Sequence, residues 1–236
     1  MEEEFTARRV RAAYDAAAET YAATFGDDLA DLPLDREVLD VAVAAAPEDG
    51  WVIEAGCGPA PAAAHLAATT GGRGERPSDA RGRPVLGFDL SGTMLAVAGR
   101  RVPGLRRIQA DLRGLPLASG SGALVIAFYT VQHVARPELR GVLAELARVL
   151  RPGGVLALAT HLGEGDVRID RFLDHDVEPM AGALHDRDEL VALLAAVGLT
   201  VAREWRRGAL PHEHPTERLY LLARSATRSS IARPAR

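Results

Sequence analysis

The sequence has little of what marks secreted, membrane-spanning or disulfide-stabilised proteins. Its 236 residues include one cysteine, Cys57, so no internal disulfide can form. No run of about 18 apolar residues predicts a transmembrane helix. The acidic start, MEEEF, lacks the apolar segment of a secretory signal. We therefore expect a cytoplasmic protein with no membrane partner.

Excess positive charge is also absent. All 28 basic residues are arginines, and 32 acidic residues outnumber them to give a net charge of −4. Binding of phosphates needs a basic face, so no nucleic-acid partner is expected. His212 and His214 form an H-x-H pair, but no third ligand is placed nearby, so no metal site is predicted. The length suits a single α/β core with flanking segments.

The stretch WVIEAGCGPA, residues 51–60, carries the most information in the chain. An apolar strand ends at the acid Glu54, and an alanine-rich segment of helical composition follows the turn. Open α/β folds use this order to present backbone N–H groups to a nucleotide-like ligand. Pro61 stands where a dinucleotide fingerprint G-x-G-x-x-G needs its third glycine. The turn itself consists of Gly56, Cys57 and Gly58.

Two more strands end in an acid. The stretch VLGFDLSGTML, residues 85–95, closes its strand with Asp89, and Ser91 is suited to begin the next helix. A carboxylate at this place can accept both hydrogen bonds of a ribose diol. In IQADLRGLP, Asp111 and Leu112 follow the third strand.

Taken together, these segments resemble the motifs of class I S-adenosylmethionine-dependent methyltransferases. Glu54 and the glycines match motif I, with Ala60 where many members carry a third glycine. Residues 87–95 match motif II, G-x-D-x-S-x-x-M-L, and the L-R-P-G-G stretch, residues 150–154, recurs in the family. The resemblance implies that S-adenosylmethionine is the cofactor and that it contacts Glu54, Gly56, Cys57, Gly58, Asp89, Leu90, Met94, Asp111, Leu112 and Tyr129.

The resemblance also implies the fold: an α/β, Rossmann-like, doubly wound sheet of seven strands, the last antiparallel, with an N-terminal helical cap. We expect the cap at residues 1–46, the methyltransferase domain at 47–224 and a disordered tail at 225–236. Hydrophobic patterns predict the following elements. Helices are expected at 6–25, 35–46, 137–150 and 186–197, and later strands at 123–128, 155–159, 199–205 and 219–223.

Three segments outside the motifs bear on specificity. In the cap, the motif Y-D-x-x-A-x-x-Y resembles the N-terminal cap of many small-molecule methyltransferases. Tyr14 and Tyr21 are therefore candidate cofactor or substrate contacts. Ordinary helix packing is an equal alternative for each. The insertion at residues 70–84 is rich in Gly, Arg, Ser, Asp and Pro. It is predicted to be a mobile surface loop outside the core. Residues 161–185 are predicted to form an acidic lid over the acceptor.

The expected reaction is an in-line transfer of a methyl group to O, N or C of a small molecule. His133, in the polar stretch after strand four, is the first candidate for a general base, although packing against the next helix explains it as well. Tyr14, His161 and His175 are the other candidates. No N-P-P-Y-type motif follows strand four, which disfavours adenine and glutamine amides. A monomer or homodimer is expected.

Two alternatives of other classes stay open. One is a non-catalytic cofactor-binding or regulatory protein of the same fold. The presence of all three acids, Glu54, Asp89 and Asp111, argues against it, because a chain that had lost cofactor binding would not need them. The other is an NAD(P)-dependent oxidoreductase, which Pro61 and the missing third glycine oppose.

Overall fold

The computed structural model describes residues 6–26, 28–69, 77–211 and 213–227. Within them, helices and strands alternate along most of the chain, as in a doubly wound fold. The helices are α1 (Ala7–Phe25), α2 (Asp28–Asp31), α3 (Pro33–Ala45), α4 (Pro61–Thr69), α5 (Gly92–Arg101), α6 (Arg136–Val149) and α7 (Arg187–Ala196). The strands are β1 (Trp51–Ala55), β2 (Val85–Asp89), β3 (Arg106–Gln109), β4 (Gly122–Phe128), β5 (Leu150–His161), β6 (Asp166–Phe172), β7 (His175–Ala183), β8 (Leu199–Arg207) and β9 (Arg218–Ser225).

Seven strands form the central sheet in the order β3-β2-β1-β4-β5-β9-β8. Strands β1 to β5 pair in parallel. Strand β9 is antiparallel to both of its neighbours, β5 and β8. The expected fold class, a seven-stranded Rossmann-like sheet with its last strand reversed, is confirmed.

The inner strands are largely apolar because both faces of the sheet are covered. On β1, Ile53 and Ala55 belong to one core, together with apolar residues of α6 and α7. Val52, which points to the opposite face, packs with residues of α3, α4 and α5. This alternation of neighbouring residues follows from the two-residue period of a strand. No described helix is both long and apolar enough to cross a membrane.

The strand order reverses between β1 and β4, so their carboxyl ends border a crevice. Ligands of open α/β sheets bind at such a point. The Gly56 turn follows β1, and Tyr129 follows β4 directly. Tyr129 has a φ of 53°, in the left-handed region that bulky residues seldom occupy. Backbone strain of this kind is found mainly at functional sites.

One local prediction is wrong. The sequence predicts that a helix extends to residue 150 and that the next strand begins at residue 155, but β5 already begins at Leu150. Leu150 is extended, with φ −71° and ψ 134°, and it pairs with Gly122 before the register shifts. The residues predicted as a lid form a two-stranded antiparallel hairpin, β6–β7, which the sequence analysis did not anticipate.

Part of the 70–84 insertion joins the core, contrary to the prediction of a mobile surface loop. Asp79 and Arg83 are buried. Arg83 Nε donates to Asp79 at 2.7 Å, and its Nη2 donates to the Val43 carbonyl at 3.0 Å. The arginine therefore satisfies a carbonyl near the end of α3 while the aspartate balances its charge. Residues 70–76 lie outside the described residues, as do 228–236 of the predicted tail.

Candidate functional site

The turn after β1 requires glycine for two different reasons. Gly56 and Gly58 have φ values of 74° and 49°. A Cβ on Gly56 would lie 2.3 Å from Thr130, whereas a Cβ on Gly58 would meet only Tyr21, at 3.9 Å. Glycine is thus needed at position 56 because a side chain would collide with Thr130. At position 58 glycine leaves the space above the turn open. Ala60 also has a positive φ, 61°, which explains why a glycine suits this position.

Glu54 holds the first turn of α4. Its two carboxylate oxygens accept hydrogen bonds from the N–H groups of Ala62 and Ala63, at 3.1 and 3.0 Å. These are backbone donors that a helix start leaves without partners. Burial raises the pKa of Glu54 to about 8, with the charge of Asp89 adding to the effect. Glu54 therefore fixes the position of α4 relative to β1 and to the turn.

Asp89 ties the first and second loops together. One carboxylate oxygen accepts from Gly58 N–H at 2.7 Å and the other from Ser91 N–H at 2.8 Å. Burial raises the pKa of Asp89 above its ordinary value. Asp15, from the Y-D-x-x-A-x-x-Y motif, accepts from Thr93 N–H at 3.3 Å and so docks α1 on the start of α5.

The third acid is more exposed and is paired. Asp111 forms a 2.6 Å ion pair with Arg113, which also reaches Glu138 at 3.0 Å. Although partial burial works in the opposite direction, hydrogen bonds from Arg113 hold the pKa of Asp111 below its ordinary value.

Two adjoining cavities cover the carboxyl ends of the strands. The loop cavity, about 860 Å³ including space open to solvent, is lined by Gly58, Asp89, Leu90, Asp111 and Leu112 among others. The hairpin cavity, about 1590 Å³ and open to solvent, is lined by Glu54, Cys57, His161 and residues of β6 among others. Residues common to both linings are Tyr14, Tyr21, Gly56, Gly58, Phe128, Tyr129 and His133.

The structure thus places the residues expected to contact the cofactor around these cavities with one exception. Met94 is fully buried against Ala18 and Ala22 of α1, and it lines neither cavity. Its place in the motif is explained by helix packing. Cys57 lines the hairpin cavity, but burial raises the pKa of its thiol well above the ordinary value, so it is not a reactive thiolate.

Aromatic rings from the cap and the hairpin roof both cavities. The Phe172 ring of β6 lies 4.8 Å from Tyr14 and 6.0 Å from Tyr21, measured between ring centres. Tyr14 and Tyr21 meet edge to face at 5.7 Å. Such rings supply large apolar contact area with little flexibility.

The hairpin is fastened to α1 mainly by polar contacts at its rim. Glu178 of β7 pairs with Arg8 at 2.7 Å and with Arg9 at 2.9 Å. His175 Nε2 lies 3.0 Å from Thr20 Oγ1. His175 therefore lies at the rim against α1 and lines neither cavity.

His133 and Tyr14 form a hydrogen-bonded pair where the two cavities meet. Tyr14 Oη lies 2.8 Å from His133 Nε2, and His133 Nδ1 lies 3.4 Å from the Ala181 carbonyl. Because a carbonyl only accepts, Nδ1 carries the hydrogen and Nε2 accepts from the tyrosine. Burial lowers the pKa of His133 to about 4 and raises that of Tyr14. The imidazole is consequently neutral at physiological pH.

A buried polar network closes the far end of the hairpin cavity. Asp35 accepts from Tyr220 Oη at 2.7 Å and from Tyr129 Oη at 3.3 Å. Arg207 donates to Tyr220 at 2.9 Å and forms a two-pronged pair with Glu213. Burial opposes ionisation of Glu213, but hydrogen bonds from Arg207 lower its pKa to about 2.

This network was missed by the sequence analysis. Asp35 begins the helical face that carries Val38, Leu39 and Ala42, with spacings of three, four and seven residues. A carboxylate in that stripe of apolar residues signals a buried polar partner. The partners Tyr220 and Arg207 lie in β9 and β8, far along the chain, and no local pattern connects them to Asp35.

Two histidines face the same cavity. His161 Nδ1 lies 2.7 Å from Thr216 Oγ1, and its ring centre is 6.5 Å from that of His214. Burial lowers the pKa of His161 to about 4. Within the described ranges, no three His, Cys, Asp or Glu residues are arranged to hold a metal ion. His212 lies outside those ranges.

The architecture is a Rossmann-like α/β fold. A family profile described as "Methyltransferase domain" matches residues 52–154, which is less than half of the chain. Within these residues the match bears out the resemblance to methyltransferases that the motifs indicate.

Individual relatives differ in what their names say they act on. The chain is 37% identical over 129 residues to malonyl-[acyl-carrier protein] O-methyltransferase of Enterobacter lignolyticus, covering 54% of this chain and 46% of that protein. It is 38% identical over 94 residues to demethylmenaquinone methyltransferase of Renibacterium salmoninarum, covering 40% and 38%. The chain thus matches less than half the length of either relative.

Among solved structures, the fold matches 1,6-didemethyltoxoflavin-N1-methyltransferase of Burkholderia thailandensis, solved with 1,6-didemethyltoxoflavin and S-adenosylhomocysteine. The TM-score is 0.66 at 17% identity, covering 93% of this chain and 88% of that one. At this identity the likeness supports the fold alone.

Proposed function

We propose that the protein transfers the methyl group of S-adenosylmethionine to a small molecule held in the hairpin cavity. The observation that carries this proposal is the pair of adjoining cavities at the carboxyl ends of β1 and β4, which meet at Gly56, Gly58 and His133. One cavity has the acids expected for a nucleoside, and the other combines many apolar side chains with a polar end. Methyl transfer requires the cofactor and the acceptor to lie next to each other, as ligands in two adjoining cavities would.

The residues present fit the cofactor. Gly58 leaves open space over the turn, and Asp89 and Asp111 line the loop cavity beside it. Arg11 and Arg113 are the described arginines that line this cavity, and each is paired with a carboxylate of the protein. An acid-lined cavity suits a cationic sulfonium cofactor better than the pyrophosphate of NAD(P). When bound, S-adenosylmethionine supplies an electrophilic methyl group on a good leaving group.

We assign the binding roles as follows. Asp89 accepts hydrogen bonds from the ribose hydroxyls, which replace one of its present backbone N–H donors. Asp111 and the Leu112 N–H hold the adenine, and Leu90 packs beside them. Glu54 and the glycine turn hold the methionine end, while Tyr14, Tyr21 and Tyr129 border the point where the two cavities meet.

His133 is the proposed base for an acceptor that must lose a proton. Its Nε2 is a free-base nitrogen that now accepts from Tyr14 and would accept from an acceptor hydroxyl instead. Closure of the aromatic roof excludes water and holds the acceptor in line, and positioning contributes much of the rate in such displacements. A non-catalytic cofactor-binding protein is the second candidate, because the fold alone does not establish chemistry.

Calorimetry with S-adenosylhomocysteine tests the first step, with NADP⁺ as the comparison ligand. Binding of S-adenosylhomocysteine and not of NADP⁺ is expected; the opposite result would exclude the proposal.

Radiolabelled S-adenosylmethionine, incubated with the protein and fractions of a small-molecule extract, then tests transfer of the methyl group. Label in a product from wild type but not from Gly58→Val supports an enzyme. Cofactor binding with no labelled product in any fraction would favour the non-catalytic alternative.

A further inference from the structure

The charge distribution of the hairpin cavity indicates which acceptors it takes. Only one arginine of the described chain, Arg218, lines this cavity, and the sequence has no lysine. Arg218 is 3% exposed. It lies 3.4 Å from Glu213 and donates to the His214 carbonyl at 2.8 Å and to Thr216 Oγ1 at 2.9 Å. Its charge is therefore balanced by Glu213, and its Nη1 donors are engaged by the protein itself.

The other ionisable groups of this cavity are histidines, tyrosines, a cysteine and carboxyl groups. Of its three histidines, His133 and His161 both have a pKa lowered by burial to about 4, so neither carries a charge at neutral pH. Glu54, Asp35 and Glu213 add carboxyl groups. A carboxylate or phosphate entering the cavity would lose its water and gain no free guanidinium or ammonium group in return, which is unfavourable.

The remaining lining is apolar and partly aromatic. Phe25 of the cap, Phe172 of the hairpin and Phe128 at the end of β4 all line it. Leu32, Val167 and Ile169 add apolar side chains to the same lining. Flat rings stack well on such side chains, and apolar lining with few polar groups is the usual composition of small-molecule sites.

We propose that the acceptor is an uncharged, largely apolar, ring-containing molecule, and that free carboxylates and phosphates are excluded. This inference rests on the proposed function, because it assigns the acceptor to the hairpin cavity. It distinguishes the two kinds of acceptor that the names of the relatives suggest: malonyl groups carry a carboxylate, whereas a demethylmenaquinone is a neutral ring compound.

Matched pairs of ring compounds test the proposal. Hydroxynaphthoic and aminobenzoic acids serve as free carboxylates, and their methyl esters serve as neutral partners of nearly the same shape. Binding is measured by thermal shift and calorimetry on the protein saturated with S-adenosylhomocysteine, and methylation by release of the labelled product. We expect the esters to bind at least about tenfold more tightly than the acids. Tighter binding of the acids, or no binding of any pair, would overturn the proposal.

A charge-reversal variant sharpens the test. Ile169→Arg places an unpaired guanidinium on the hairpin side of the cavity and should shift the preference towards the acids by about tenfold or more. Ile169→Gln adds polarity without charge and should leave the esters preferred. If Ile169→Arg does not fold, Val167→Arg offers the same change on the same strand. An unchanged preference in a folded arginine variant would show that charge does not govern the choice.

The two levels of inference fail separately. Absence of S-adenosylhomocysteine binding would contradict the proposed function, and the ester and acid pairs can still be compared on the protein alone. Cofactor binding together with a preference for acids would leave the methyltransferase proposal intact and remove only the acceptor class.

Discussion

The two cavities are built in different ways. The loop cavity is formed by three successive strand ends between residues 56 and 112, and its acids accept from backbone N–H groups: Asp89 from Gly58 and Ser91, and Asp111 from Arg113. The hairpin cavity is assembled largely from α1, α3, β5, β6, β7 and β9, and side-chain contacts join several of these elements. The first is set by the local course of the main chain, and the second by tertiary packing.

This difference has consequences for function. Backbone contacts tolerate many changes of sequence, so a cofactor cavity of this kind can persist in enzymes with different acceptors. Side chains of the cap and hairpin change without disturbing the sheet, which lets the acceptor cavity vary. Substitutions in the two cavities should therefore separate: those in the loop cavity change cofactor affinity, and those in the hairpin cavity change turnover and acceptor affinity.

The largest expected effect is at His133, in the hairpin cavity but next to the turn. With a hydroxyl acceptor, His133→Ala should lower turnover by about 100-fold, the usual scale for a general base. The affinity for S-adenosylhomocysteine should stay within about twofold of wild type. Because the pKa of His133 is about 4, the wild-type rate should show no step attributable to this imidazole between pH 5.5 and 8.

His161→Ala is the matched control, since His161 lines the same cavity, has a similarly lowered pKa and does not contact Tyr14. If His161→Ala abolishes turnover and His133→Ala does not, the base is His161. Tyr14→Phe removes the present partner of Nε2 and should keep most of the activity. A loss as large as that of His133→Ala would assign the proton transfer to the tyrosine.

The sequence predicted the two cavities unequally well, and for the same physical reason. The strand–turn–helix order around Gly56 and the acids at 54, 89 and 111 are local patterns, so both the sheet and the loop cavity could be read from the chain. Met94 fits the motif, yet it packs against α1, because a motif records packing as well as binding. Asp35 and Tyr220 are 185 positions apart, and only the folded sheet brings them to 2.7 Å.

The next effect concerns Asp89 in the loop cavity. Asp89→Ala removes the acceptor proposed for the ribose and also frees the Gly58 N–H, so cofactor affinity should fall at least about tenfold, equivalent to 1.4 kcal/mol. Asp111→Ala is a useful comparison, because Asp111 is half exposed and paired with Arg113; a smaller loss is expected. Isothermal calorimetry with S-adenosylhomocysteine measures both. Normal binding by Asp89→Ala would contradict the assignment of this acid to the ribose.

The raised pKa of Glu54 should be detectable in the pH dependence of the free energy of unfolding. Its pKa is raised from 4.5 to about 8 in the folded protein, so the folded state holds a proton that the unfolded chain releases over this range. The contribution of Glu54 to the free energy of unfolding is therefore full at low pH and falls as the pH rises from about 4.5 to 8. Glu54→Gln does not titrate and loses nothing over the same range.

We expect the Tm of Glu54→Gln, relative to wild type, to be higher by about 3 °C or more at pH 8 than at pH 5. Differential scanning calorimetry at several pH values measures this difference. The Asp79–Arg83 pair is a second buried site far from the cavities, and Asp79→Asn controls for general effects of removing a buried acid. A Tm difference for Glu54→Gln that is independent of pH would mean that the carboxyl group is ionised throughout.

The smallest expected effect is at the rim, where the hairpin is fastened to α1. Glu178→Ala removes the ion pairs with Arg8 and Arg9. Because the side chains of Arg8 and Glu178 are 70% and 39% exposed, the free energy of unfolding should change little. The KM for the acceptor should nevertheless rise about two- to fivefold, since the hairpin that carries Phe172 loses its ion pairs with α1, while cofactor affinity stays unchanged.

Asp176→Ala is the matched control: Asp176 lies two residues away on β7 with a 92% exposed side chain, and its contact with Arg171 stays within the hairpin. If the two variants raise KM equally, the effect comes from lost negative charge and not from the fastening. If Glu178→Ala weakens the cofactor as much as the acceptor, the hairpin serves both cavities, and the separation between a backbone-built and a side-chain-built half would not hold at the roof.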